Sequence, residues 1–435
     1  MVWSFPEDLT GSFYWRLGLI AFVVQGFLGV VAFEWAYKRT ERVRLAEEEM
    51  MQEFPSFRRL DAHLWSRKKF YPGCFLLLLP RTVLVFACVF FVGACQRLLF
   101  WGQDMSVPLE GRRRSLHKRL LWCVVPLAIL SFGYKLKLTD HDETQVDYSK
   151  YLGPDWRNEK FQGKRPSTII SNHIGFIEIL AYIALMTTPP SFTPSHHVKY
   201  FPIGDHFVRS LNSIYVDRTD NKEKRDSLVR ELGNRQRTIE TDNDRDWGPL
   251  CLFAEGSVTN GQNISRFRRG GFASGVPVQP IVFRYLYQTV SPDYAIVRGL
   301  ELGFLMLSEF ALNVFDAHRY PIFVPNDYLY TEYAKTISNN NPNKHHHQQQ
   351  QKQPPPPVPM QKWEIYAHAV ADLMRREGGF GVNEQALREK VGLQKFVWGE
   401  KDEISVNGKT FYWPSRERNN DARDGSSSSA AKKTI

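Results

Sequence analysis

Two residues set five apart, His173 and Glu178, carry the clearest chemical potential in this chain. They close the stretch Ser171-Asn172-His173-Ile174-Gly175-Phe176-Ile177-Glu178. A carboxylate on one imidazole nitrogen fixes the tautomer and supports the imidazolium, leaving the other nitrogen to take a proton as a general base. On a continuous helix, five residues turn through roughly 500°, so the two side chains would point about 140° apart. They meet only if His173 lies in a turn before the helix. The neighbouring sequence meets that condition. The apolar, β-branched run 167–170 reads as a buried strand, Gly175 lets the backbone bend, and 176–182 reads as a helix. Taken alone the pair is a weak signal, because a lone His is more often structural.

The company downstream strengthens it. Lys199-Tyr200-Phe201-Pro202-Ile203-Gly204 precedes Tyr215-Val216-Asp217-Arg218; then come Phe253-Ala254-Glu255-Gly256-Ser257-Val258-Thr259-Asn260-Gly261 and Val276-Pro277-Val278-Gln279-Pro280. From Asp140 to about Pro325, β-rich apolar runs (166–171, 198–201, 214–216, 250–254, 276–283) alternate with helical ones (176–186, 205–212, 221–239). That alternation predicts an α/β domain with a largely parallel sheet flanked by helices. Ligands in such sheets collect at the carboxyl ends of strands, so His173, Arg218 and Glu255 are expected to face one crevice. Arg218 suits phosphate, because its guanidinium fork matches the oxygens; the plain alternative is an ion pair with Asp217 or Asp220. Glu255-Gly256 would otherwise be an ordinary strand-end turn. Asp242, Asp244 and Asp246 imitate a calcium loop, but Trp247 and Phe253 stand where Gly and Glu are needed, so the stretch reads as a solvated loop.

In order and spacing these stretches resemble the glycerolipid acyltransferase superfamily. Its signature of Asn-His-x4-Asp, a block ending in Arg, Phe-Pro-Glu-Gly-Thr and Val-Pro-Val-x-Pro is met by Asn172-His173-x4-Glu178, Val216-Asp217-Arg218, Phe253–Ser257 and Val276–Pro280. The longer run Glu255–Gly261, Phe267-Arg268-Arg269-Gly270, Pro80-Arg81-Thr82 and Tyr366-Ala367-His368-Ala369-Val370 are similar to the lysophosphatidylcholine/lysophosphatidylethanolamine acyltransferase branch. Three positions depart from the pattern: Glu178 replaces Asp, Ala254 replaces Pro and Ser257 replaces Thr. The resemblance covers roughly residues 74–376. It implies acyl transfer from acyl-CoA, as co-substrate, to the hydroxyl of a lysophospholipid. His173 would be the base, oriented by Glu178, with no acyl-enzyme; Arg218, Glu255, Gly256 and Ser257 would hold the acceptor's phosphate. No metal and no resident cofactor is called for. Acylation of 1-acylglycerol 3-phosphate or glycerol 3-phosphate is the alternative within enzymes. The alternative outside them is an inactive lipid-binding protein, with Glu178 as the mark of lost catalysis.

The elements that must position this site look membrane-bound. Lys and Arg number 56 against 46 Asp and Glu, a net charge of +10, which favours a polyanionic partner. The apolar segments select a membrane surface over nucleic acid. Residues 17–33 are apolar apart from Gln25 and are followed by Lys38, Arg39, Arg42 and Arg44, which predicts an anchor with its carboxyl end on the cytosolic side. The run 74–101 and the shorter run 120–132 flank a basic loop of Arg112, Arg113, Arg114, Lys118 and Arg119. Two crossings would place those charges on the wrong side, so the expected form is a hairpin dipping into the cytosolic leaflet, with two true spans as the alternative. The five cysteines form no CxxC and read as reduced, buried thiols. The expected layout is a membrane anchor (1–37), a cytosolic linker (38–72), a membrane-associated hairpin (73–135), the α/β core (136–338), a low-complexity insert rich in Asn, His, Gln and Pro (339–361), a C-terminal helical segment (362–415) and a polar tail (416–435). The resemblance places the protein in the endoplasmic reticulum membrane with the catalytic domain facing the cytosol.

Overall fold

A computed structural model describes residues 7–163, 165–217, 221–339, 360–383, 385 and 387–413. Nine strands are defined: β1 (Tyr134–Asp140), β2 (Thr168–Ser171), β3 (Leu250–Phe253), β4 (Asn263–Ser265), β5 (Val278–Leu286), β6 (Asn313–Arg319), β7 (Gly381–Asn383), β8 (Glu403–Val406) and β9 (Lys409–Tyr412). Five of them form the central sheet in the order β1-β6-β5-β2-β3. β2 runs parallel to both β3 and β5, and β1 parallel to β6, while β5 and β6 are antiparallel. The sheet is therefore largely parallel, as expected. β2 is central, and all four of its residues are buried, which is why it reads as an uninterrupted apolar run. Its register sets Ser171 beside Phe253. Two residues farther along each strand come His173 and Glu255, so the register alone brings them level.

Two expected strands are absent. Residues 196–200 form a 3₁₀ turn, and 214–216 run beside 192–196 through a few backbone hydrogen bonds, Ile214 N–H to the Phe192 carbonyl among them, with a single bridge between Ser195 and Val216. Short apolar runs do not distinguish a strand from a turn of this kind. The sheet gains β1 and β6 instead. β1 alternates Lys135 and Lys137 with buried or half-buried apolar residues, and it lies just before the point where the α/β pattern was taken to begin.

Two helical stretches, Phe13–Arg39 and Arg67–Leu99, are long and apolar enough to cross a membrane. Helix Glu7–Arg39 approaches residues 74–78 so closely that a Cβ at Gly29 would stand 2.2 Å from the carbonyl oxygen of Cys74. Only glycine fits there. Helices Leu79–Leu99 and Gly111–Ser131 pack against each other as a hairpin. The first leaves Val83, Phe86, Phe90 and Phe91 exposed. The second buries Leu121, Val124, Val125, Ala128 and Ile129 and packs against helix Ile177–Leu185. Asp246 ties the base of the hairpin to the core, accepting from Arg165, Arg114, Lys118 and Thr188. Burial pushes its carboxyl up, but the hydrogen bond from Arg165 and the charges of Arg114 and Lys118 outweigh that and hold it well below the usual carboxylate range.

The stretch 38–72 carries its own buried residues, Met50, Phe54, Phe57 and Trp65. Arg59 grips Asp61 in a fork of 2.5 and 2.9 Å, and both side chains are buried. Asp61 also accepts from the Ser291 backbone at 2.7 Å and from the Trp65 indole at 3.1 Å. Arg59 donates onward to the carbonyls of Ser291 and Asp293. In the C-terminal part, Tyr366, Val370 and Leu373 of helix Lys362–Gly378 are fully buried. β7 then pairs with β4, helix Leu387–Val397 follows, and β8 and β9 form a hairpin. The body of the low-complexity insert (340–359) and the tail (416–435) lie outside the described residues.

Asn263, in the sequon Asn263-Ile264-Ser265, donates its amide to Ser56 at 3.1 Å inside β4. Its side chain is half-buried. The clearest stability test lies in the buried pair. Asp61→Asn leaves Arg59 without its counter-charge and should cost about 3–5 kcal/mol. Thermal unfolding in detergent checks this, and a loss below about 1 kcal/mol would show that the pair does not hold this segment down.

Candidate functional site

The turn between β2 and helix Ile177–Leu185 holds the two leading residues. The helix begins at Ile177, so Glu178 lies in its first turn and His173 precedes it. The pair therefore escapes the divergence a continuous helix would impose. His173 Nδ1 stands 2.5 Å from Glu178 Oε2. The other carboxylate oxygen accepts the backbone N–H groups of Ile174 and Gly175, both at 2.8 Å, and the Tyr285 hydroxyl at 3.1 Å. Glu178 is fully buried, and the amino end of a helix is a favourable place for its charge. Burial and the adjacent Glu178 carboxylate push the Tyr285 hydroxyl well above its usual range, so it stays a donor. With Nδ1 donating to Glu178, the lone pair sits on Nε2.

The His173 ring stacks on Phe253 at 3.9 Å with the planes 12° apart. Its edge opens onto a cavity of about 810 Å³, whose wall includes Ser195, Val216, Leu232, Phe253 and Gly256, with Arg225 and Arg268 among its cations. The Tyr294 hydroxyl lies 3.4 Å from Nε2. Nothing in the local sequence marks Tyr294. Its loop is fixed from two distant places. Arg59 holds Ser291 and Asp293, while Gln394 and Trp398 donate to the carbonyls of Ala295 and Ile296 at 2.7 and 2.8 Å. A backbone bridge between Gly175 and Asp293 closes the loop onto the turn that holds His173.

The expected phosphate-binding residues do not all face the cavity. Gly256 does, with φ +70°, and a Cβ there would press on the Arg268 side chain at 3.3 Å. Glu255 is buried and turned back; it accepts from the His173 N–H at 3.2 Å and the Ser265 N–H at 2.9 Å. It holds the backbone of the base. Burial pushes its carboxyl up to about 7. Ser257 Oγ accepts from Lys390 at 3.0 Å, and Lys390 also donates to the Val258 carbonyl at 2.8 Å. Arg218 lies outside the described residues. Asn172, next to the base, extends the sheet with its side chain, exchanging bonds of 3.0 and 2.8 Å with the Phe283 backbone.

The acyltransferase family profile matches residues 155–284. That segment is similar to the acyltransferase family. It contains the dyad, Glu255 and Gly256, and excludes Tyr294 and Arg59. A lysophospholipid acyltransferase of Arabidopsis thaliana, LPEAT1, is 26% identical over 163 residues, covering 38% of this chain and 40% of its own. Lysophosphatidylcholine acyltransferase 2 of Danio rerio is 25% identical over 225 residues, 49% of this chain and 37% of its own. The matched part thus spans about two-fifths of these relatives' length. The solved 1-acyl-sn-glycerophosphate acyltransferase of Thermotoga maritima superposes with a TM-score of 0.34 at 12% identity, covering 60% of this chain and 92% of its own, and carries no argument. The relatives bear out the branch of the superfamily expected from the motifs.

Two outcomes follow from the geometry. Glu178→Gln keeps the size and loses the charge that orients His173, so it should lower turnover far more than Glu178→Asp, by about 10²-fold or more. Equal rates for Gln and wild type would exclude the dyad. For Glu255, between about pH 4.5 and 7 the folded chain keeps a proton that the unfolded chain releases. Its contribution to stability therefore falls as pH rises through that window. The drop in melting temperature from about pH 5 to about pH 7.5 should be shallower in Glu255→Gln than in wild type; an equal drop would mean the buried carboxyl is already ionised at the lower pH.

Proposed function

We propose that this protein transfers an acyl group from acyl-CoA to the free hydroxyl of a lysophospholipid, with lysophosphatidylcholine or lysophosphatidylethanolamine as acceptor. One observation carries the reading: His173 has Nδ1 committed to a buried carboxylate and forms part of the wall of a cavity large enough for lipid chains. Nε2 takes the proton of the acceptor hydroxyl as its oxygen attacks the thioester carbonyl. The tetrahedral intermediate collapses, the carbon–sulfur bond breaks, and the thiolate of CoA leaves with the proton held by His173. The acyl group passes directly from donor to acceptor within a ternary complex, with no serine or cysteine ester. Glu178 fixes the ring and balances the imidazolium. Arg218 is assigned to the acceptor's phosphate, with the backbone around Gly256. Arg225 and Arg268 add positive charge to the same cavity, where the donor's phosphates also need neutralising. Glu255 serves through the His173 backbone, and Ser257 through Lys390.

Membrane association supports this reading, because both substrates carry long acyl chains. The endoplasmic reticulum, with the domain on the cytosolic side where acyl-CoA is made, is the compartment we assign. A complete dyad at 2.5 Å supports an active enzyme over an inert lipid-binding relative. The test is transfer of labelled acyl-CoA to a panel of lysolipids by the purified protein in vesicles. Wild type should acylate lysophosphatidylcholine or lysophosphatidylethanolamine, and His173→Ala should lose about 10²–10⁴-fold in rate while folding normally. His173→Ala activity within a few-fold of wild type would remove the base from the mechanism, and transfer only to glycerol 3-phosphate or lysophosphatidic acid would change the acceptor.

A further inference from the structure

Between Tyr134 and Trp413, the most exposed large hydrophobic residues described are Tyr200 and Phe201, at 75% and 69%. They are adjacent in the chain and have a defined place in the fold. Phe201 precedes helix Pro202–Ser210, which packs along the apolar helix Leu79–Leu99. The contact is well inside that helix: a Cβ at Gly93 would meet the Ile203 side chain at 3.4 Å. Phe201 is two residues from that contact. Helix Leu79–Leu99 belongs to a stretch long and apolar enough to cross a membrane, and it bares Phe86, Phe90 and Phe91. Any bilayer that covers those rings at the depth of Gly93 meets Tyr200 and Phe201 as well.

The other end of the same segment is at the active-site cavity. Ser195 and Val216, joined by their bridge, both form part of its wall. The 3₁₀ turn His196–Tyr200 then leads straight to Phe201. At about 2 Å per residue, five residues of 3₁₀ turn place Phe201 roughly 10 Å from that wall. A single short segment therefore touches the cavity at one end and the apolar helix at the other. Tyr and other aromatic rings favour the membrane interface, where an apolar body is covered and a polar tip stays wet.

We propose that Tyr200 and Phe201 enter the bilayer beside helix Leu79–Leu99 and form a lateral doorway through which a single-chain phospholipid passes from the membrane to His173. The bilayer contact stands on the structure; the cargo rests on the lysophospholipid acyltransferase reading. Entry of this kind lets the acyl chain stay in an apolar medium throughout, while the headgroup slides along the interface toward the basic wall of the cavity.

Photo-crosslinking decides the contact. The full chain, carrying benzoylphenylalanine at position 201, 90 or 328, is reconstituted into vesicles of radiolabelled phosphatidylcholine and irradiated. Position 90 lies on the apolar helix, and Tyr328 packs over Gly153 in the α/β domain. Position 201 should label lipid to within a few-fold of position 90 and at least about tenfold above position 328. Labelling at 201 no higher than at 328, with 90 strongly labelled, overturns the proposal, as does a crosslink from 201 to a second copy of the chain. Failure at both 90 and 201 overturns it together with the membrane placement of the hairpin. For the doorway, the double variant Tyr200→Ser, Phe201→Ser should raise the KM for long-chain lysophosphatidylcholine in vesicles at least about fivefold more than the KM for a short-chain, water-soluble analogue. An unchanged ratio removes the doorway role. Absence of transfer to either acceptor by wild type retires the acyltransferase reading and the doorway with it, while the crosslinks still decide the bilayer contact.

Discussion

The site depends on one buried carboxylate. Glu178 has no access to solvent, and an ion in that position survives only if its oxygens are saturated with donors. Four groups do this: the His173 ring, the N–H groups of Ile174 and Gly175, and the Tyr285 hydroxyl. Each fixes a different part of the structure. The two backbone donors force the chain to turn between β2 and the helix. Tyr285 ties the carboxylate to β5. The ring takes the remaining oxygen and is thereby aimed. The presence of Glu in place of the shorter Asp follows from this arrangement. The carboxylate has to reach past the turn to the ring while its second oxygen stays in contact with two backbone amides. An extra methylene fits a helix that starts at Ile177.

Around this core the candidate site is assembled partly from segments that lie outside the matched family region. Residues 155–284 supply His173, Glu178 and the strand-end turn. The loop that presses Tyr294 toward Nε2 is held by Arg59 from one side and by Gln394 and Trp398 from the other. The separations involved exceed 230 residues for Arg59 and Asp293 and reach about 100 for Gln394 and Ala295. The segment 38–72 is thus a buttress for the active-site loop as well as a connection between apolar helices. Arg59 suits the task because its planar fork satisfies Asp61 while leaving donors for two carbonyls.

The legibility of the sequence follows the range of the interactions. His173, Gly175 and Glu178 lie within six residues, and strand, turn and helix signals around them are all local, so their geometry was readable. The alternating apolar runs likewise pointed to the largely parallel sheet. β1 was hidden because Lys135 and Lys137 break its apolar run and because its partner, β6, is some 180 residues away. Residues 198–201 form a turn where a strand was expected because Val198, Tyr200 and Phe201 suit a strand as well as a 3₁₀ turn, and the exposure of Tyr200 and Phe201 is invisible in a one-dimensional pattern. The motif around Glu255 marks a strand end, whereas the direction of its side chain, away from the cavity, is set by the β2–β3 register and by the His173 N–H that it accepts. Tyr294 and Arg59 have no local signature at all.

The coupling of the apolar hairpin to the dyad is the last consequence of this packing. Helix Gly111–Ser131 lies directly against helix Ile177–Leu185, and the first turn of that second helix carries Glu178. Phe132, just past the end of the hairpin, meets Phe176 edge to face at 5.0 Å, one residue before that helix begins. The depth at which the hairpin sits in a lipid surface and the position of the carboxylate that aims His173 are therefore set by one rigid helix pair. Glu178 stands on a helix packed against the second hairpin helix, and the Phe132–Phe176 ring pair joins the two, so the position of the candidate site relative to the hairpin is a property of the core packing. The interior of a protein does not deform smoothly, so that position is fixed.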